Sequence, residues 1–332
     1  MGGLHSSKRC RVDEPACRWL AEENGILADA VRSAPSVHNT RPWSLAVRER
    51  TAELQEREIE TLAYHDPEGR DRRMSCGAAL TNLVLAVRSL GWTADVDIAI
   101  AGKGLAIAKV MGSRRADPTA AEIRRYEAIG DRTSYRRAFG PEAVPGQLRE
   151  AVSSSATSVS VLGRWISGGD EALAVARLLA YAAGAFHGNA DYQRELSAWT
   201  TVPGESKGEG ELGLSWDDLV SAGLGAVGLA TSRTRIPDES VLAARIERES
   251  LLVVSSRGDE PLDHIRAGEF VEQAWLEATG AGLAASIMTQ PLHLGEVRDA
   301  LAVRLGLSTV PQALMRFGYP AAATPGNHRG QP

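Results

Sequence analysis

Apolar residues fall into two rhythms along the 332-residue chain. Trp19, Leu20, Ile26, Leu27, Ala30 and Val31 share one stripe at helical spacing, which predicts a helix over 19–33. Pro35 stops it, because the residue before a proline is pushed out of the α region. Residues 78–90 are strongly apolar and predict a second helix, ended by Gly91. Residues 269–279 predict a third of the same kind. The stretch 170–199 reads as one long helix, with Asp170 as its N-cap and Gly184 and Gly188 within it. Shorter runs predict strands at 44–48, 59–65, 251–255 and 312–317. Residues 94–100 and 105–111 read as a hairpin across 101–104. Five of the twelve residues over 202–213 are Gly or Pro, which predicts a loop.

Two parts of this pattern repeat. Gly77, Leu85 and Gly91 reappear as Gly268, Leu276 and Gly282 at an offset of 191, each set on an apolar helix. A predicted strand precedes each helix, ending near Tyr64 and Ser255. Upstream, 30–36 aligns with 151–157 at an offset of 121. The offsets differ by 70 residues (191 − 121), so the second copy would carry an insertion of that size. An internal duplication explains two domains' length of chain without an obvious linker.

Composition narrows the function classes. The chain has 37 Lys+Arg against 42 Asp+Glu, a net charge of −5, which argues against a nucleic-acid or membrane-surface binder. No run of about 18 apolar residues predicts a membrane span. The N-terminal stretch lacks the apolar segment of a secretory signal. Cys10, Cys17 and Cys76 make no disulfide framework and no zinc spacing, so a reducing cytoplasm is expected. Cys76 reads as preceding a helix N-terminus, which would lower its pKa. His187 and His264 read as isolated surface residues.

Two constellations carry candidate chemistry. Ser36, His38, Asn39 and Arg41 crowd between Pro35 and Pro42–Trp43, just after the first helix. Short polar side chains there suit a planar heterocycle or a sugar chain, or else satisfy their own loop. Arg132, Ser134, Arg136 and Arg137 cluster within six residues, and guanidinium groups with a hydroxyl suit a phosphate; a solvated basic turn would look the same.

Together these stretches resemble the nitroreductase family of flavin enzymes. Ile129, Arg132, Ser134, Arg136, Phe139 and Val144-Pro145 follow the order of the family's arginine motif, with Thr133 in place of a second Arg and Phe139 one residue late. Pro35, Ser36, Asn39, Pro42 and Trp43 match the family's P-S-x-x-N-x-Q-P-W, with Arg41 in place of Gln. Residues 282–291 resemble its flavin-side turn and 310–320 its last core strand. In ordinary members the arginine motif precedes P-S-x-x-N, whereas here the order is reversed. Each half has kept what the other lost, as in the fused, single-site Acg-like branch of the family.

The resemblance implies an α+β, nitroreductase-like fold, internally duplicated, with two mixed or antiparallel sheets flanked by helices. The expected halves are 18–115 and 120–320, the second with an insertion and lid at about 170–240, and tails at 1–17 and 321–332. The implied cofactor is FMN, with NAD(P)H as co-substrate. Arg132, Ser134 and Arg136 would bind the FMN phosphate, with Arg329 completing that site and Arg316 a weaker candidate. Pro35, Ser36, Asn39 and Arg41 would border the ribityl chain or ring edge. Ile287, Met288, Thr289 and Gln290 would pass the isoalloxazine, with a backbone N–H near Thr289 or Gln290 facing N5. His38 reads either as a loop histidine or as a proton supplier. No metal is expected, and a single chain should complete one site, leaving a higher oligomer open. Three functions follow from the resemblance: reduction of a nitroaromatic, quinone or similar small molecule, storage of FMN beneath a closed lid, or dehydrogenation of a peptide or other natural product.

Overall fold

A computed structural model describes residues 18–57, 62–100, 106–155, 158–201, 212–219 and 223–321. The first predicted helix forms as α1 (Ala21–Arg32). It leads through a 3-10 turn at Val37–Asn39 into β1 (Trp43–Arg48) and β2 (Thr51–Glu56). α2 (Arg70–Ser89) then carries the chain to β3 (Trp92–Ile100) and β4 (Ala106–Arg115). After α3 (Ala120–Ala128) and α4 (Gly146–Ser153), β5 (Val161–Trp165) opens a second sheet. Among the described residues five helices intervene: α5 (Gly169–Gly188), α6 (Ala190–Ala198), α7 (Trp216–Leu219), α8 (Leu224–Val227) and α9 (Glu239–Arg248). The last described elements are β6 (Ser250–Ser256), α10 (Pro261–Gly280), β7 (Ala284–Met288), α11 (Gly295–Arg304) and β8 (Val310–Gly318).

The sheets have the orders β1-β2-β4-β3 and β5-β6-β8-β7, so the second repeats the first strand for strand. Every strand pair in both is antiparallel. α2 covers the first sheet and α10 the second, and the two helices pack on each other. They begin at Arg70 and Pro261, 191 residues apart (261 − 70), which is the offset read from the sequence.

Their crossing explains the repeated glycines. A Cβ on Gly77 would collide with the Ile265 carbonyl oxygen, and one on Gly268 with that of Met74. Only residues without a Cβ let the two backbones approach this closely. Ile265 and Leu276 of α10 join α2 in one apolar cluster, and Met74 of α2 joins the cluster beneath the second sheet. In β6, Leu251 and Val253 pack toward α5 and α9 while Leu252 and Val254 pack toward α10. The strand is buried on both faces, and its continuous apolar run follows from that.

Several expectations need correction. The strand before α2 is Thr51–Glu56; of 59–65, the described residues 62–65 form a turn, and the rest lie outside the described residues. α2 starts eight residues before Ala78, so Cys76 lies inside it. Burial pushes the Cys76 thiol well up rather than down. The long helix over 170–199 is two helices, because Asn189 leaves the helical conformation and its side chain accepts from Tyr192 N to cap α6. The residue before α5 is Gly168, not Asp170. His264 is buried and hydrogen-bonded to Asp259 at 2.9 Å, not a surface residue. The hairpin of β3 and β4 forms, but 101–105 lie outside the described residues, as does most of the predicted loop at 202–213.

Candidate active site

A cleft of about 870 Å³ lies where the two sheets' helices meet, within the roughly 300–1,000 Å³ range of small-molecule and cofactor sites. Pro35, Ser36, His38, Asn39 and Arg41 form one wall, Arg132, Ser134 and Arg136 a second, and Ile287, Met288, Thr289 and Gln290 a third. The candidate residues are thus drawn from across the chain into one place. Arg329 lies outside the described residues.

The first wall is a strained loop. His38, Asn39 and Arg41 have positive φ values of 45°, 54° and 47°, each costing of order 1–3 kcal/mol for a non-glycine residue. Side chains hold the strain in place. Ser75 Oγ accepts from Val37 N at 3.0 Å, and Ser36 Oγ accepts from Arg41 N at 3.0 Å. Burial, and then the neighbouring His65, push the His38 imidazole well below its ordinary pKa.

The second wall is laid along the end of β7. Tyr135 N donates to Ala285 O at 2.9 Å. Arg316, fully buried on β8, donates to Arg136 O at 3.2 Å and Arg137 O at 2.8 Å, and pairs with Glu249 at 2.8 Å. It is a positioning residue for this loop. Arg132 donates to Ser33 O at 3.1 Å, lies 4.8 Å over the Trp275 ring and stands 3.6 Å from Glu272. Glu272 is completely buried, and that burial, opposed by Arg132, pushes its carboxyl up to about 7.

Gly213, Leu214 and Ser215 with Gly225, Gly228 and Leu229 roof the cleft from the segment between α6 and α9. Gly225 abuts the Arg136 carbonyl, where a Cβ would collide. The floor is Asp71, Met74, Ser75 and Ala78 of α2 with Val271 and Trp275 of α10.

That floor holds a polar network which the sequence reading missed. Asp71 Oδ2 is 3.2 Å from His65 Nε2 and 3.1 Å from His293 Nε2, and it accepts from the Thr289 hydroxyl. Burial would raise the Asp71 carboxyl, but His293 and His65 outweigh it and hold the group well below the usual range. Gln290 is buried, its side chain held by Ala230 N at 2.7 Å and by the Tyr192 hydroxyl. Its amide is therefore committed within the protein. His65, Asp71 and His293 have the composition of a metal triad, with donor atoms within 4.8 Å of one another. Each histidine turns Nε2 to the same carboxylate oxygen at hydrogen-bond distance, and with no cation between them each Nε2 carries the proton.

No family model matches the chain. A Mycobacterium tuberculosis protein named as an NAD(P)H nitroreductase is 31% identical over 302 residues, spanning 89% of this chain and 84% of that protein. The chain belongs to the nitroreductase family. The Acg protein of the same organism, also named as an NAD(P)H nitroreductase, is 28% identical over 326 residues, 90% of this chain and 94% of that one. Among solved structures, a Bacteroides fragilis nitroreductase with bound FMN has a TM-score of 0.40 at 18% identity, over 63% of this chain and 94% of that one.

Proposed function

We propose that the cleft binds one FMN and that the protein is an oxidoreductase using NAD(P)H as donor and a small organic molecule as acceptor. The convergence of the Pro35–Trp43 motif with Arg132, Ser134 and Arg136 around one cleft carries this reading. The residues fit the group. Two guanidinium groups and a hydroxyl match a phosphate. Ser286 Oγ is buried beside the cleft with no hydrogen-bond partner, and Gly225 leaves the loop at Arg136 uncrowded.

Bound flavin would supply two-electron chemistry, taking hydride from NAD(P)H and returning it to a second molecule in the same cleft. Arg132, Ser134 and Arg136 would hold the phosphate, and Arg316 would fix the carbonyls of that loop. Ser36, Asn39 and Arg41 would face the ribityl chain or ring edge beside Pro35. Ile287, Met288, Thr289 and Gln290 would border the ring, while the roof of Gly213, Leu214, Ser215, Gly225, Gly228 and Leu229 would limit water and substrate size.

Two halves, 18–115 and 120–320, would share this one site, with the insertion at about 170–240 supplying the roof. That roof also supports a second reading, FMN storage beneath a closed cover. Anaerobic NADPH or NADH added to the yellow protein separates the two. Rapid bleaching, reversed by a quinone or nitroaromatic, is expected. FMN that stays oxidised and tightly held supports storage, and protein that takes up no FMN overturns both.

A further inference from the structure

The groups around Asp71 determine one another's protons. The Ala230 backbone N–H donates to Gln290 Oε1 at 2.7 Å, so the Gln290 amide must turn its NH2 toward the Tyr192 hydroxyl. That hydroxyl has one proton of its own to give, and His65 Nδ1 lies 3.3 Å away to accept it. The His65 proton then sits on Nε2, facing Asp71 Oδ2. His293 Nε2–H and the Thr289 hydroxyl donate to the same oxygen. One carboxylate oxygen thus takes three donors.

The other oxygen, Oδ1, is buried and has no hydrogen-bond partner. The two cations that flank it in sequence are turned away: Arg70 donates to Leu292 O and Gln312 Oε1, 3.0 Å from each, and Arg72 to Glu56 Oε1 at 2.7 Å. Asp66, the other buried carboxylate here, accepts from the backbone N–H groups of Asp71 and Arg72 and brings no donor. His38 also lines the cleft, is 5% exposed, and its Nε2 likewise has no partner. Its ring lies 4.2 Å from that of His65. These two buried polar atoms, like Ser286 Oγ elsewhere in the lining, lack partners, and a carboxylate oxygen can only be satisfied by a donor.

The geometry points to a substrate class: the cleft selects a molecule carrying an N–H donor group, such as an amine, amidine or amide, which Asp71 Oδ1 accepts from and His38 flanks. This rests on the oxidoreductase reading and specifies the acceptor or donor molecule of that site. A nitro group brings oxygens and no proton, so at Oδ1 it sets lone pairs against lone pairs. Any N–H donor makes a charge-assisted hydrogen bond to the ionised carboxylate, and a cationic amidine adds its own charge to that bond.

Four planar, near-isosteric probes test this: benzamidine, benzamide, benzoate and nitrobenzene. Dissociation constants are measured by calorimetry on the protein with and without FMN, and by flavin absorbance changes on the FMN-loaded form. Benzamidine should bind the loaded protein about tenfold or more tighter than nitrobenzene and benzoate, with benzamide between. Asp71→Asn should erase most of that preference while FMN is retained. Should that variant fail to fold, the wild-type ranking decides alone. Equal binding of all four, or a preference for nitrobenzene or benzoate, overturns the inference. So does benzamidine binding only to FMN-free protein, because the cofactor would then occupy Oδ1. One equivalent of divalent metal in the purified protein also overturns it, since a cation at His65, Asp71 and His293 would replace the donors assigned here. A chain that takes up no FMN sinks the oxidoreductase reading and still returns a ranking.

Discussion

Glu272 and Arg132 show how a single buried charge makes this protein sensitive to pH. The Glu272 carboxyl is raised to about 7 by burial, with Arg132 opposing. Between its unfolded value, about 4.3, and 7, the folded state binds the extra proton. Stability contributed by this group is therefore present at low pH and is lost as pH rises through about 7. The loss amounts to about 4 kcal/mol, about 3 of it above pH 5, and Glu272→Gln should lack that share of the decline between pH 5 and 8 in urea unfolding. A variant that declines as steeply as wild type would remove Glu272 as the cause. Arg316 presents the opposite case, a buried cation with its partner in place. Arg316→Met leaves Glu249 buried without its cation and frees the carbonyls of Arg136 and Arg137. It should cost about 3–5 kcal/mol, with Glu249→Gln added to it restoring part of that. Thermal unfolding of the single and double variants measures both numbers, and FMN titration should show weaker binding in each.

At the scale of elements, the crossing of α2 and α10 is where sequence and structure agree most closely. Gly77 and Gly268 repeat at one spacing because each meets a backbone carbonyl of the other helix. Gly77→Ala or Gly268→Ala must force the helices apart, and each should lower stability by about 1–3 kcal/mol or more in urea unfolding. A neutral effect would mean the helices can separate without loss. The hydrophobic rhythm located α1, β1, β3, β6 and β8 because most of their inward positions are apolar, in β8 despite the buried Gln312 and Arg316. It failed at the start of α2, where Arg70, Asp71 and Arg73 are charged yet buried. It failed at β2 as well, whose inward positions end on Glu56, a buried acid beside Arg72. Periodicity reads polar residues as solvent-facing, so it loses a stretch where buried charges outnumber apolar neighbours, as at the first turn of α2. The same blindness hid His65, Asp71 and His293, which no motif marks. The break at Asn189 was legible in principle, since Asn is a strong N-cap, but the apolar pattern runs on through it.

For the whole molecule, motif order carried more information than any motif. The reversed order implied that Pro35–Trp43 and the arginine cluster must meet across two halves, and the cleft brings them together. One FMN per chain is expected by absorbance after removal of free flavin. Arg132→Ala combined with Arg136→Ala should release it while far-UV circular dichroism keeps its shape. If the double variant retains a full equivalent, the phosphate lies elsewhere.

Both sheets, the helix pair between them and every described wall of the cleft belong to one covalent chain. Where two separate polypeptides must meet to build a site, dilution empties it, and melting temperature tracks protein concentration. Here the effective concentration of one sheet for the other is set by the connecting polypeptide rather than by how much protein is made. Specific activity and melting temperature should hold constant from micromolar to nanomolar protein, so a cell could keep this protein at a few copies without losing a fraction of it to dissociation.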